Sequence, residues 1–468
     1  MLKASRPAPL DPARIAAVRR PFDEADMFPP SVYHDPAIFA WEAEEIFRHE
    51  WRCVGREEET PNVGSYRLLE FAGEQVIISR GEDNVLHAFI NACRHRGATL
   101  IEGPVDGKPE CGTAKKITCP YHAWVYGADG TLLKAKHTEN LERFSLDDYG
   151  LVPVRCETWQ GFVFLTLEND AEPLLSYLDD LATWFDRFDL KSLRCAKREV
   201  YDVAANWKIL VENYSECYHC PGVHPQLNAL TPYDLGEDIP ARGWWKGGWQ
   251  PLVGEAATMG LEHGSHRRPW LEGVTDEDAR RIHYFALWPN MLLSLHPDYL
   301  MVHVIEPVAP GRSLITCDWY VHPDTLARPD FDFSDAHGFW DQTNRQDWHV
   351  CTLQQRGTAS SMLPPGRYSE LEASVQAFDL MVADRYAAAK IAADEALAAV
   401  EALKSEIIAT GRDEITGDRF AIKVGLAERT SVDAKAVAKI LSPAQMASVS
   451  KTSQYEVIRF AWNRAAAA

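Results

Sequence analysis

The stretch ENYSECYHCPGVHP, residues 212–225, holds two Glu, two Cys and two His within fourteen residues. Glu212, Glu216 and His219 are four and three residues apart, so a helix would carry them on one face. Pro221 disfavours helix at Cys220 and Gly222 follows, which predicts a break at that point. His224 lies beyond the break and is expected to turn back towards His219. In an unbroken helix the two rings would stand roughly 140° apart. Two imidazoles and one carboxylate are the facial set of a mononuclear non-heme Fe(II) site, with open positions for O2. The carboxylate must come from elsewhere. TNRQDWHVC, on a helix predicted over 334–355, offers Asp347, and Asp341 and Asp318 compete with it on spacing alone. Cys217-x-x-Cys220 has the spacing of a redox dithiol or a zinc half-site. No second such pair accompanies it, and both cysteines are expected to pack or to tune the site.

A second group lies upstream. Cys93 and His95 in CRHRG stand one residue apart; Cys119 and His122 in CPYH stand two apart. Two thiolates and two imidazoles suit tetrahedral zinc or a [2Fe–2S] cluster with sulfur on one iron and nitrogen on the other. Short strands flank both halves, where a zinc finger would show a helix carrying its histidines. C-x-H, a loop and C-P-Y-H together resemble the Rieske motif, which implies a [2Fe–2S] cluster on Cys93, His95, Cys119 and His122. The 23 residues between His95 and Cys119 make a longer loop than Rieske oxygenases usually have. The extra piece, GPVDGKPECG, reads as a surface insertion with Cys111 as a bystander.

NWK…ENYSECYHCPGVH…QDWHVC…QQRG resembles the catalytic domain of Rieske non-heme iron oxygenase α-subunits. The resemblance implies His219, His224 and Asp347 as iron ligands. It gives Glu216 another task, bridging His219 to cluster ligand His122 of a neighbouring subunit, and so implies a homotrimer. Most members use Asp at the bridge. Within the family the chain is most similar to the branch acting on quaternary ammonium compounds, glycine betaine monooxygenases in particular, on Glu216, ECYHCPGVHP, LLSLHPDY, NRQDWHVC and PGRYS. The implied reaction is oxidative N-demethylation: an N-methyl group is hydroxylated and the product collapses to formaldehyde and dimethylglycine. O2 and two electrons are consumed. Hydroxylation of an aromatic ring or another small carboxylate is the alternative. No flavin or nicotinamide motif is visible, so a separate flavin and iron–sulfur reductase is expected to deliver the electrons.

A trimethylammonium donates no hydrogen bonds and is held by aromatic faces. Trp244, Trp245 and Trp249, with Tyr284, Phe285, Trp288 and Trp319, are candidates for such a cage. His263, His266, His283, His296 and His303 are isolated and read as structural or surface residues.

These residues need scaffolds. Residues 1–45 read as a proline-rich arm. Residues 46–168 read as an all-β Rieske domain, with SYRLLEF, QVIISR, VLHAFINA and GFVFLTLE as strands. Residues 169–386 read as an α+β, helix-grip catalytic domain built on an antiparallel sheet. Leu178, Leu181, Phe185 and Phe188 predict one amphipathic helix over 174–190. Residues 387–468 read as a helical extension, Ala-rich to 409, with a further helix start at Ser442 and Pro443. A net charge of −20 argues against nucleic acid as a partner. Without an apolar leader or an eighteen-residue apolar run, a cytoplasmic enzyme with no membrane span is expected. A plain electron carrier would leave the second ligand set without a purpose, and a structural zinc protein would be colourless where a Rieske protein is red-brown.

Overall fold

The arm opens with two helices that start alike. In α1 (Pro12–Val18) and α2 (Pro36–Glu45) proline takes the first turn, and the Asp before it caps the helix. Asp11 accepts from Ala13 N at 2.9 Å and Asp35 from Ala37 N at 2.8 Å. The computed structural model describes residues 8–103, 111–264, 268–409, 414–416, 420–432 and 450–462.

Strands follow the arm: β1 (Arg52–Arg56), β2 (Ser65–Phe71), β3 (Glu74–Arg80), β4 (Leu86–Ile90), β5 (Cys111–Thr113), β6 (Lys116–Thr118), β7 (Val125–Gly127), β8 (Leu132–Lys134), β9 (Pro153–Trp159) and β10 (Phe162–Thr166). Seven form one sheet in the order β1-β10-β9-β4-β3-β2-β5, and β6-β7-β8 form a second. The β2–β3 hairpin turns on Ala72 and Gly73, both with positive φ, as a two-residue turn matched to strand twist requires. Between the sheets lies a core that includes Cys93, Cys119, Trp124 and Tyr126.

The stretch read as one amphipathic helix is broken. The chain forms α3 (Leu174–Leu178) and α4 (Asp180–Trp184) and then 3-10 turns. Asp179 between the two helices sits at φ 48°, outside helical space. The four predicted core residues are all buried, so the apolar stripe marked burial but not continuity.

The catalytic half is a seven-stranded antiparallel sheet. Its first strand is β11 (Arg194–Val203). Then come α5 (Trp207–Tyr214), α6 (Cys220–Val223), α7 (Pro225–Leu230), β12 (Glu237–Ile239), β13 (Trp245–Pro251) and α8 (Leu261–Gly264). The sheet is completed by β14 (Arg281–Leu287), β15 (Met291–Leu295), β16 (Leu300–Ala309) and β17 (Arg312–Val321), ahead of α9 (Pro323–Leu326) and α10 (Ser334–Thr358). Strand order is β11-β17-β16-β15-β14-β13-β12.

Helix α5 is fixed from beneath by buried charges. Lys208 and Glu42, both fully buried, pair at 2.6 Å; Trp207 Nε1 donates to Glu42 at 3.0 Å, and the Tyr386 hydroxyl donates to it as well. Tyr33 donates to Glu212 at 2.8 Å. Burial pushes the Glu212 carboxyl up to about 7, and burial with the charge of Glu212 raises that of Asp379. The arm, α5 and the long helix α11 (Ala373–Ala409) thus meet around one polar core.

Contacts divide the chain into two compact units, Met1–Ala388 and Ala389–Ala468. The helical reading of residues 387–468 is corrected past Ala409. There β18 (Glu414–Thr416), β19 (Phe420–Val432) and β20 (Ser450–Trp462) make a three-stranded antiparallel sheet. FAIKVGL alternates large apolar residues with small or charged ones, a period-two pattern that the alanine-rich segment before it obscured. The proposed helix start at Ser442 and Pro443 lies outside the described residues, as do His266 and the side chain of His263. No helix among the described residues is long and apolar enough to cross a membrane.

Candidate metal centres

Helix α5 ends at Tyr214, earlier than the sequence predicts, so Glu212, Glu216 and His219 do not share a helical face. Glu212 belongs to the buried core below, while Glu216 and His219 lie in the turn that follows. Pro221 does not break a helix here. It occupies the first turn of α6, where its missing N–H costs nothing. The turn is built by Glu216. Its Oε1 accepts from His219 Nδ1 at 2.5 Å, and its Oε2 accepts from the backbone N–H groups of Tyr218 and His219.

His224, at the end of α6, is fully buried and does turn back. Its Nδ1 donates to Gln346 Oε1 at 2.8 Å, and Gln226 donates to the same oxygen. Both imidazoles are therefore held through Nδ1 and present Nε2 to one point. There Asp347, on α10, places Oδ1 3.2 Å from His219 Nε2 and 2.8 Å from His224 Nε2. One ligand atom from each of the three residues lies within 4.8 Å of the others. Two nitrogens and one oxygen, with the far side of each ring hydrogen-bonded, is a donor set that fits a divalent iron and leaves positions open. Burial disfavours charge on His219. Its hydrogen bonds to Asp347 and Glu216 outweigh that and raise its pKa to about 10. Burial likewise opposes ionisation of Asp347, and the two imidazoles overcome it and hold the carboxyl below its ordinary range.

The competing carboxylates have other partners. Asp318 takes both Oδ atoms to Arg198, at 2.6 and 2.7 Å; Asp341 accepts from Tyr201 at 2.8 Å and Arg345 at 2.9 Å. Cys217 and Cys220, expected to pack or to tune the site, are joined as a disulfide, the pairing that the dithiol spacing allows. The tight turn brings their Cα atoms to 5.0 Å, within bridging range.

The upstream quartet is carried on two loops of matching construction. Gly97 N donates to Cys93 O at 2.8 Å and Cys93 N to Ala98 O at 2.9 Å. Likewise Ala123 N donates to Cys119 O at 3.1 Å and Cys119 N to Trp124 O at 2.8 Å. The fifth residue of each loop, Gly97 or Ala123, has positive φ. Both thiols are buried, and Cys93 Sγ lies 3.2 Å from the Tyr126 hydroxyl. The His95 and His122 rings, centroids 4.5 Å apart, are exposed at the tip, with His95 stacked on Trp124. Sulfur inside and nitrogen outside is the polarity a Rieske cluster needs. Cys111 is exposed on β5 opposite Arg67.

A cavity of about 360 Å³ opens beside His219, His224 and Asp347, between α10 and the sheet. Of the aromatic candidates, Tyr284 and Trp249 line it, while Trp245, Phe285, Trp288 and Trp319 are buried in the core. Tyr214, a motif residue for which a place beside the iron ligands or simple packing is expected, also lines the cavity, as do Trp340 and Trp348, which the sequence reading does not single out. His303 was read as a structural or surface residue. It faces the cavity and donates to Asn344 Oδ1 at 3.2 Å; burial lowers its pKa to about 4, keeping it neutral. Gln346, Asn344 and Lys246 were missed as well. For Gln346 and Asn344 the available signal was their place one and three residues before Asp347 on one helix.

Residues 50–145 match the Rieske [2Fe-2S] domain family and residues 190–388 the ring hydroxylating alpha subunit (catalytic domain) family. The chain is 31% identical, over 77% of its length and 90% of the relative's, to the glycine betaine monooxygenase oxygenase subunit of Pseudomonas aeruginosa (strain UCBPP-PA14). It is 35% identical to the carnitine monooxygenase oxygenase subunit of Escherichia coli (strain K12), over 65% of this chain and 77% of that one. The crystal structure of the quaternary ammonium Rieske monooxygenase CntA with L-carnitine superposes with a TM-score of 0.64 at 26% identity, covering 81% of this chain and 99% of that one.

Proposed function

Because the chain belongs to the Rieske non-heme iron oxygenase α-subunits, with a [2Fe–2S] domain and a catalytic domain that binds mononuclear iron, we propose that it demethylates glycine betaine to dimethylglycine and formaldehyde. In this reading His219, His224 and Asp347 hold the iron, and Cys93, His95, Cys119 and His122 hold the cluster. The iron supplies activation of O2. The chain supplies orientation and a dry site.

Convergence of three anchored donor atoms on an aromatic-walled cavity carries the reading. The cavity's charge supports the choice of a cationic substrate. Asp234, Glu237, Asp238 and Glu370 line it, and such a rim attracts a quaternary ammonium, a charge that a simple aromatic acid lacks. The rings of Tyr214 and Tyr284, centroids 6.1 Å apart at 75°, present a corner that a trimethylammonium can enter by cation–π attraction.

Glu216 is the electron bridge in this account. Its carboxylate grips His219 and keeps capacity to accept from His122 of the partner subunit, whose exposed place at the domain tip suits that contact. The working unit is a homotrimer served by a separate reductase, and the enzyme works in the cytoplasm. Per turnover, O2, two electrons and two protons convert one betaine to dimethylglycine, formaldehyde and water.

Purified protein with a partner reductase, NADH and O2 tests the proposal. Formaldehyde released in step with NADH oxidation on glycine betaine is expected. Turnover of aromatic acids alone would overturn it.

A further inference from the structure

Lys246 is the one lysine or arginine among the described residues lining the cavity. It sits on β13, where side chains alternate between faces. Its neighbour Trp245 points the other way, is 1% exposed, and donates its indole N–H to Asp180 at 3.0 Å. Lys246 therefore projects from the concave face. Among the described residues its ammonium has no hydrogen-bond or ion-pair partner, although six carboxylates share the cavity wall.

Strand register locates it. Lys246 stands opposite Ala286, Ala286 opposite Leu292, and Leu292 opposite His303. One step along, Gly248 stands opposite Tyr284, and Tyr284 opposite Ser294, whose hydroxyl meets that of Tyr214 at 2.8 Å. The corner formed by Tyr214 and Tyr284 is thus one strand from β13, about 4.8 Å between neighbouring backbones. Ala286 and Gly248, beside Lys246 on this face, are small and leave its stem room to reach that corner.

A lone, partly buried ammonium beside an aromatic corner is costly for a purely cationic ligand and favourable for a zwitterion. It repels a second positive charge and forms a charge-assisted bond with a carboxylate. We propose that Lys246 recognises the carboxylate of the substrate and makes the site select quaternary amines that carry a carboxylate over those that carry only a hydroxyl. This rests on the quaternary-amine reading above and deepens it.

The test is calorimetric binding to the iron-loaded protein, wild type against Lys246→Met and Lys246→Arg, with glycine betaine, L-carnitine and choline. Lys246→Met is expected to weaken both carboxylate ligands about 10- to 100-fold, as loss of a charged hydrogen bond does. Choline should bind unchanged or more tightly, and Lys246→Arg should keep most betaine affinity. Unchanged betaine binding in Lys246→Met overturns the proposal, and so does a parallel loss of betaine and choline, which would mark a structural role. Wild-type protein that binds none of the three overturns the quaternary-amine reading itself, and this inference with it.

Discussion

His224 Nε2 and Asp347 Oδ1 lie 2.8 Å apart, although 123 residues separate them in the chain. The contact is held from both sides. Gln346, next to Asp347, takes the other nitrogen of the same ring, so one turn of α10 supplies both the carboxylate and the clamp. Asp347→Ala should therefore cost the protein one iron per chain and leave the cluster's visible absorption intact. Metal analysis beside an absorption spectrum checks this.

Gln346→Leu removes the clamp without touching a ligand atom. Loss of such a partner typically weakens metal binding about 10- to 100-fold. Competition with a chelator should show that loss in the variant, with wild-type folding by circular dichroism.

Lys208→Met leaves Glu42 charged and buried with only neutral partners. Breaking a buried pair from one side costs about 3–5 kcal/mol. Denaturant unfolding should show that loss, and a second change, Glu42→Gln, should recover a large part of it.

His303 has its pKa lowered from 6.5 to about 4 by burial. The unfolded chain takes up this proton first as pH falls, so stability is full above 6.5 and declines towards 4. The share of this one group is about 3 kcal/mol. His296, buried and lowered by the same cause, adds to the acid lability. Thermal unfolding across this window should show a shallower decline for His303→Gln than for wild type.

Local spacing carried much of the site. Cys-x-His and Cys-x-x-His fix ligands on tight loops, and two imidazoles five residues apart can meet only if the chain bends, as it does. The location of the bend was misread, because a proline in a first helical turn looks the same in sequence as one that ends a helix. The choice of Asp347 over Asp341 and Asp318 depended on resemblance. What separates them is long-range pairing, Arg198 with Asp318 and Tyr201 with Asp341, which no local pattern encodes. His303 and Lys246 were hidden for a related reason. A single polar residue on a strand reveals its face only once neighbouring strands are in register. The C-terminal strands were legible as alternation but were overridden by an alanine-rich run.

In the proposed function, electrons pass through Glu216 from a cluster to an iron in a neighbouring subunit. The direct measurement is a single turnover: protein loaded with both metals, its cluster reduced, mixed with glycine betaine and O2. In wild type the cluster should reoxidise as formaldehyde forms. In Glu216→Gln, with both metals shown to be present, the cluster should stay reduced and no formaldehyde should form. Wild-type rates of reoxidation and product formation in that variant would contradict the account.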